Sequence, residues 1–127
     1  AEVGRFKQQL GPSGPIDICI LGLGSNGHIA FNEPADALER FVHVAQLSPT
    51  SQQHGMVAGM DTAPEFGFTV GMTDIFRSKM ILLLVSGASK KAVTARLLSG
   101  RVSTNLPASL LWLHGNTVCL LDQNACE

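Results

Sequence analysis

Four polar side chains suited to acid–base or hydrogen-bond chemistry lie together early in the chain. They are Asn26, His28, Asn32 and Glu33, within the stretch Ile16 to Pro34 that reads IDICILGLGSNGHIAFNEP. An imidazole changes charge near neutral pH, so His28 can take up and deliver protons. A carboxylate such as Glu33 orients a neighbouring imidazole and favours its charged form. A carboxamide such as Asn26 orients by hydrogen bonding but accepts no proton at this pH. A cation, Lys90, stands three residues after Gly87 in a later glycine-containing stretch, SGASKK.

These residues need a frame. Ile16 to Leu21 is an apolar run of the kind a buried parallel strand shows, and it breaks into Gly22, Gly24 and Gly27. Glycines at the carboxyl end of a buried strand let backbone N–H groups approach a ligand, and open α/β sheets bind ligands at that edge. Gly24 and Gly27 are therefore candidate binding positions. The spacing Gly22-x-Gly24-x-x-Gly27 also matches a dinucleotide fingerprint. That fingerprint needs a following helix and an acid about 20 residues on. Pro34 cuts the helix short, and Val42 to Leu47 carries no acid, so the dinucleotide reading is set aside.

Met80 to Val85 is an unbroken apolar run and the clearest strand in the chain. The helical pattern Ala92, Val93, Ala95, Leu97, Leu98 follows Lys90 and Lys91, and Gly100 ends it. Lysines in a first helical turn stand against the helix dipole. They make sense where the free N–H groups and an ammonium converge on an anion, with solvated lysines as the plain alternative.

The other elements are read as a helix over Glu2 to Leu10, strands over Phe41 to Leu47, Phe66 to Val70 and Asn116 to Leu121, and a short helix over Ala108 to His114. Pro34 to Arg40 has room for one helical turn. Ser48-Pro49 has the residues of a helix start, and Gly71-Met72-Thr73-Asp74 another, with Thr73 as the capping type. Strands alternating with helices or long connections imply a parallel α/β sandwich. Composition agrees: 127 residues, 45% hydrophobic, 15% charged, net charge −1. That is one domain at most, with no basic excess for nucleic acid or an anionic membrane surface, and no apolar stretch long enough to span a bilayer. Cys19, Cys119 and Cys126 have no metal-type spacing. Cys19 and Cys119 read as core fillers, with a reducing cytoplasm as the default compartment.

Gly24 to Pro34, GSNGHIAFNEP, resembles the signature of the glucosamine-6-phosphate deaminase/isomerase family. Three further blocks resemble it: Phe68 to Asp74 (FTVGMTD), Leu84 to Lys90 (LVSGASK) and Pro107 to His114 (PASLLWLH). The likeness is greatest to the branch assigned to galactosamine 6-phosphate, which shares the Asn-Gly-His form and a similar spacing at Ser51-Gln52-Gln53-His54. It implies a Rossmann-like sandwich with a mostly parallel sheet. Members are about twice this length, so it also implies that residues 1–127 form one partial domain, the C-terminal half, lacking an N-terminal half that carries a catalytic aspartate and the main phosphate loop.

The resemblance implies a reaction without cofactor or metal on an aminohexose 6-phosphate. His28 would open the sugar ring, with Glu33 and Asn26 in its acid–base set. Gly24, Gly27, Asn32 and Lys90 would bind substrate, Lys90 at the phosphate. Two departures stand out. The position of Asn26 is usually aspartate, and no arginine follows in His54 to Ala58, where a phosphate contact is usual. A related phosphosugar lactonase shares a Gly-x-x-Gly-His loop but does not usually carry Asn-Glu-Pro. A phosphosugar-binding module without catalysis is the third reading, supported by Asn26. Relatives include both monomers and larger assemblies, which leaves homo-oligomerisation open.

Overall fold

The computed structural model describes residues 1–11, 14–53 and 59–127. His54 and its four successors lie outside the described residues. Helix α1 spans Glu2–Leu10 and is followed by strand β1, Ile18–Gly22. After the glycine loop come β2 (His43–Gln46), the short helix α2 (Pro49–Gln52), β3 (Phe66–Thr69) and α3 (Met72–Phe76). The chain ends with β4 (Met80–Val85), α4 (Lys91–Leu98), β5 (Thr117–Leu121) and α5 (Gln123–Cys126). Two 3-10 segments, Ala88–Lys90 and Pro107–Leu113, precede α4 and β5.

Strands β1, β4 and β5 form a three-stranded sheet in the order β1-β4-β5, parallel throughout. The apolar runs read from the sequence are these strands. The expectation of a single mostly parallel sheet meets one difference. Strands β2 and β3 pair antiparallel in a separate ribbon, with His43 opposite Thr69 and Gln46 opposite Phe66. Alternation along a strand shows that it is half-buried, not which strand it pairs with. Residues 34–40 form bends rather than a helical turn.

Alternation decides the core. Cys19 and Leu21 of β1 and Ile81, Leu83 and Val85 of β4 point to one face and are buried there. Val93 and Leu97 of α4, Ile75 of α3 and Ala125 of α5 close over them. Cys19 and Cys119 do pack as core side chains, and burial pushes both thiols up. The opposite face is also apolar, but exposed: Ile18, Ile20, Leu84, Val118 and Leu120 keep 38% to 63% of their surface accessible.

Local chemistry sets the helix boundaries. Ser48 caps α2 by accepting from the Ser51 amide, and Pro49 takes the first helical position. Helix α3 is capped differently from the sequence expectation: the Gly71 amide donates to the Asp74 carboxylate at 3.1 Å, and Thr73 is not the cap. Gly100, at φ 72°, leaves α4 in the left-handed region, as a helix-ending glycine does. Among the described residues no helix is long and apolar enough to cross a membrane.

Candidate active site

The carboxyl ends of β1 and β4 open into a cleft of about 650 Å³. Gly24, His28, Ala30 and Ser51 line it on one side, and Ser86 and Lys90 on another. Phe68, Thr69 and Val70, at the end of β3, form part of the wall. Ligands of open α/β sheets bind at this edge, where loops leave the strands.

His28 belongs to a hydrogen-bond network that includes Asn26, Glu33 and Ser51, whose Oγ lies 3.4 Å from His28 Nδ1. Its Nδ1 lies 2.7 Å from Asn26 Oδ1, which also accepts from the His28 backbone N–H at 3.1 Å. Asn26 Nδ2 donates to Glu33 Oε2 at 2.8 Å. A carboxylate only accepts, so the amide must turn its NH2 group to Glu33 and its oxygen to His28. The Asn26 oxygen then requires a proton on Nδ1. In the neutral ring, Nε2 is therefore the basic nitrogen.

Glu33 is enclosed by donors. Ser51 Oγ donates to its Oε1, the Ser48 amide lies 3.4 Å from the same oxygen, and His28 Nδ1 stands 3.4 Å from Oε2. Burial acts to raise this carboxyl. The bonds from Ser51 and Asn26, the charge of His28 and the Ser48 amide outweigh it and hold the group below its ordinary value.

The glycines make room. A Cβ on Gly24 would lie 2.3 Å from the His28 ring, so the imidazole rests against this glycine. Gly27 has φ 93°, and a Cβ there would meet Leu106 Cδ1 at 2.2 Å. Its carbonyl accepts from the Ala108 amide at 3.0 Å, tying the loop to the 3-10 segment behind it. Gly24 faces the cleft, whereas Gly27 is held against Leu106.

Asn32 is buried away from the cleft lining. Its Nδ2 donates to the carbonyls of Ile29 (3.1 Å) and Val70 (2.9 Å), and its Oδ1 is buried without a hydrogen-bond partner among the described residues. These bonds hold a tight turn in which Ala30 takes φ 51°, a conformation L-residues seldom adopt. The turn carries the chain from His28 back to Glu33.

Lys90 reaches the same cleft from the β4 side, with Nζ 3.4 Å from Ser25 Oγ. Lys91 does not line the cleft. The loop before Lys90 is held from β5: the Asp122 carboxylate accepts from the Gly87 amide at 3.0 and 3.1 Å. His114 and Trp112 stand outside the cleft. His114 Nε2 lies 2.9 Å from the Ser78 carbonyl, and Trp112 Nε1 donates to the Leu97 carbonyl at 2.8 Å.

Sequence reading thus brought together His28, Glu33, Asn26, Gly24 and Lys90. It missed Ser48, Ser51 and Asp122 as residues of the site. Ser48 was read only as a helix start and Ser51 only within a block shared with the family, Asp122 was not singled out, and no spacing linked any of them to its loop.

A parallel sheet with a histidine–glutamate loop and a lysine loop at one edge is an arrangement found in α/β proteins that bind small molecules at strand ends. The glucosamine-6-phosphate isomerase/6-phosphogluconolactonase profile matches residues 3–119, and the chain belongs to that family. It is 41% identical over 121 residues to AgaI of Escherichia coli (strain K12), a protein assigned as a deaminase, covering 95% of this chain and 48% of that one. It is 39% identical over 129 residues to glucosamine-6-phosphate deaminase 1 of Bacillus subtilis (strain 168), covering 100% of this chain and 53% of that one. Among solved structures, a monomeric glucosamine-6-phosphate deaminase superposes with TM-score 0.91 at 39% identity, over 98% of this chain and 52% of that one. A 6-phosphogluconolactonase from Leishmania guyanensis superposes less well, with TM-score 0.71 at 26% identity, over 97% of this chain and 50% of that one. The chain spans about half the length of the curated relatives it matches.

Proposed function

We propose that this chain supplies the ring-opening half of a cytoplasmic enzyme that converts an aminohexose 6-phosphate, galactosamine or glucosamine, into a ketohexose 6-phosphate and ammonia. An aminohexose phosphate is mainly a closed ring. Opening it takes a proton from the C1 hydroxyl and delivers one to the ring oxygen, and a histidine can do both near neutral pH. His28 is the residue for this step, with Nε2 as the proton acceptor. Asn26 and Glu33 hold its tautomer and steady the imidazolium. Lys90 binds the phosphate, and the backbone at Gly24 borders the sugar.

Moving the proton from C2 to C1 carries the open-chain amino aldose through an enolamine to an imine at C2. Water then adds to C2 and ammonia leaves, giving the ketose. This second proton transfer falls to an aspartate of a preceding segment, as the family resemblance implies. No cofactor is needed, because the hydrogen moves as a proton and no net oxidation occurs.

The observation that carries the reading is the network around His28, which fixes one tautomer of a cleft-lining imidazole while a lysine enters the same cleft. The test is ammonia release by the natural protein from galactosamine 6-phosphate and glucosamine 6-phosphate side by side, with a phosphogluconolactone as a third substrate. Release from either amino sugar supports the reading, and the ratio identifies the preferred epimer. Lactone hydrolysis without ammonia would overturn it in favour of a lactonase. Tight phosphosugar binding without turnover would overturn it in favour of a binding module.

A further inference from the structure

The residues of α2 are absent from the reaction as just described, yet one of them touches its central carboxylate. Ser51 is buried, and its hydroxyl donates to Glu33 Oε1. The same hydroxyl accepts from Ser48 Oγ at 3.2 Å, and the Ser51 amide donates back to Ser48 Oγ at 3.2 Å. Ser48 also contributes its own amide, 3.4 Å from Glu33 Oε1. Donation therefore runs in one direction: from Ser48 to Ser51 to Glu33 on one side, and from His28 to Asn26 to Glu33 on the other. Both chains end on the same carboxylate, one at each oxygen, and they also meet directly: Ser51 Oγ lies 3.4 Å from His28 Nδ1, and Asn26 Nδ2 lies 3.5 Å from Ser48 Oγ.

The direction matters because of what Asn26 is. An aspartate there would carry its own charge to the imidazole. A carboxamide carries none, and either end of it can face His28 unless something else fixes it. Here Glu33 fixes the NH2 end and the His28 backbone N–H the oxygen end, and Ser51 fixes Glu33. With Glu33 Oε1 released, the carboxylate can rotate away from Asn26 Nδ2 and the amide can flip. A flipped amide presents N–H to Nδ1, and the ring proton must then move to Nε2, which removes the base from the cleft.

We infer that Ser51 is a positioning residue for His28: through Glu33 and Asn26 it selects the imidazole tautomer whose basic nitrogen serves the substrate. Its consequence for turnover rests on the ring-opening reading of His28, whereas the tautomer itself does not. Ser48 supports it as the cap that holds the Ser51 hydroxyl. Among the described residues, the charged groups that touch the ring or share its cleft are Glu33 at Nδ1 and Lys90.

The deciding comparison is between Ser51→Thr and Ser51→Val in the natural protein, because the two replacements have the same shape and differ by the hydroxyl. Imidazole 15N shifts report the His28 tautomer, and the 13C shift of the side-chain carboxyl reports Glu33. With Ser51→Thr, the Nδ1–H tautomer is kept and kcat stays within about twofold of the unmodified protein. With Ser51→Val, the tautomers mix, the Glu33 carboxyl titrates at higher pH, and kcat falls about tenfold with little change in KM. Identical tautomer populations in the two variants would overturn the inference.

One measurement needs no variant. A proton held between Ser51 and an ionised Glu33 gives a downfield, slowly exchanging hydroxyl signal that is lost over the pH range in which the Glu33 carboxyl titrates. A Ser51 proton indifferent to that titration would overturn the inference even if Ser51→Val does not fold. The spectra require no turnover. Absence of ammonia release would therefore count against the deaminase reading alone.

Discussion

At the scale of single residues, the site is built around one anion. Glu33 is surrounded by a hydroxyl, a carboxamide, an amide N–H and an imidazole, and every one of these favours its charged form. Its carboxyl is held below the ordinary value although burial alone would raise it. The sign of the linkage follows. A carboxyl depressed in the folded state stabilises the fold fully above its unfolded value, and that contribution is lost as pH falls through the folded value. Chemical denaturation between about pH 6 and pH 3 should therefore show a steeper loss of stability for the unmodified protein than for Glu33→Gln. Equal slopes would mean that Glu33 is not held as described.

The residues of this network were only partly legible in the sequence. Asn26, His28 and Glu33 stand within eight positions, so their proximity could be read directly. Ser51 lies 18 positions beyond Glu33 and meets it only because α2 folds back over the loop. No periodicity or motif records such a contact. Asn32 was legible as a polar residue of the loop, but its side chain points into the fold and binds two carbonyls. Residue type alone does not tell a carboxamide that ties a turn from one that meets a ligand.

At the scale of elements, two strand ends and their loops are brought to one edge. The Met80 to Val85 run was legible because an unbroken apolar stretch of that length has few other fates. The antiparallel pairing of β2 with β3 was not, since pairing partners are decided by tertiary packing. The loop leaving β4 carries Lys90, and Asp122 after β5 holds that loop through the Gly87 amide, 35 positions away in sequence. Replacing Lys90 by Ala should raise KM for the phosphosugar about tenfold or more, with kcat changed far less. Lys91→Ala serves as the control, since Lys91 does not line the cleft. Equal effects of the two substitutions on KM would show that general surface charge, rather than a contact from Lys90, binds the phosphate.

At the scale of the whole molecule, one apolar face of the parallel sheet stays largely accessible among the described residues. Parallel sheets are covered on both faces in nearly all α/β proteins, because their crossover connections place helices there. Ile20 and Leu120, 63% and 55% exposed, stand on the uncovered side. Gly22 and Leu84, on the same face, also line the cleft. A layer laid over this face would therefore border the cleft, where the proposed second proton transfer would need its group. Residues 1–127 by themselves should bind a hydrophobic dye on this face and show little or no turnover. Adding a preceding segment of the natural protein should lower dye binding and bring activity together. Turnover by residues 1–127 alone would contradict this division of the site.

The role of His28 is tested most directly by ammonia release from the two aminohexose 6-phosphates by the natural protein and by His28→Asn, both shown to be folded. The unmodified protein should release ammonia from one or both sugars, and the variant should be slower by about a hundredfold or more. A folded protein that releases no ammonia from either sugar would contradict that role. So would a His28→Asn variant that turns over as fast as the original.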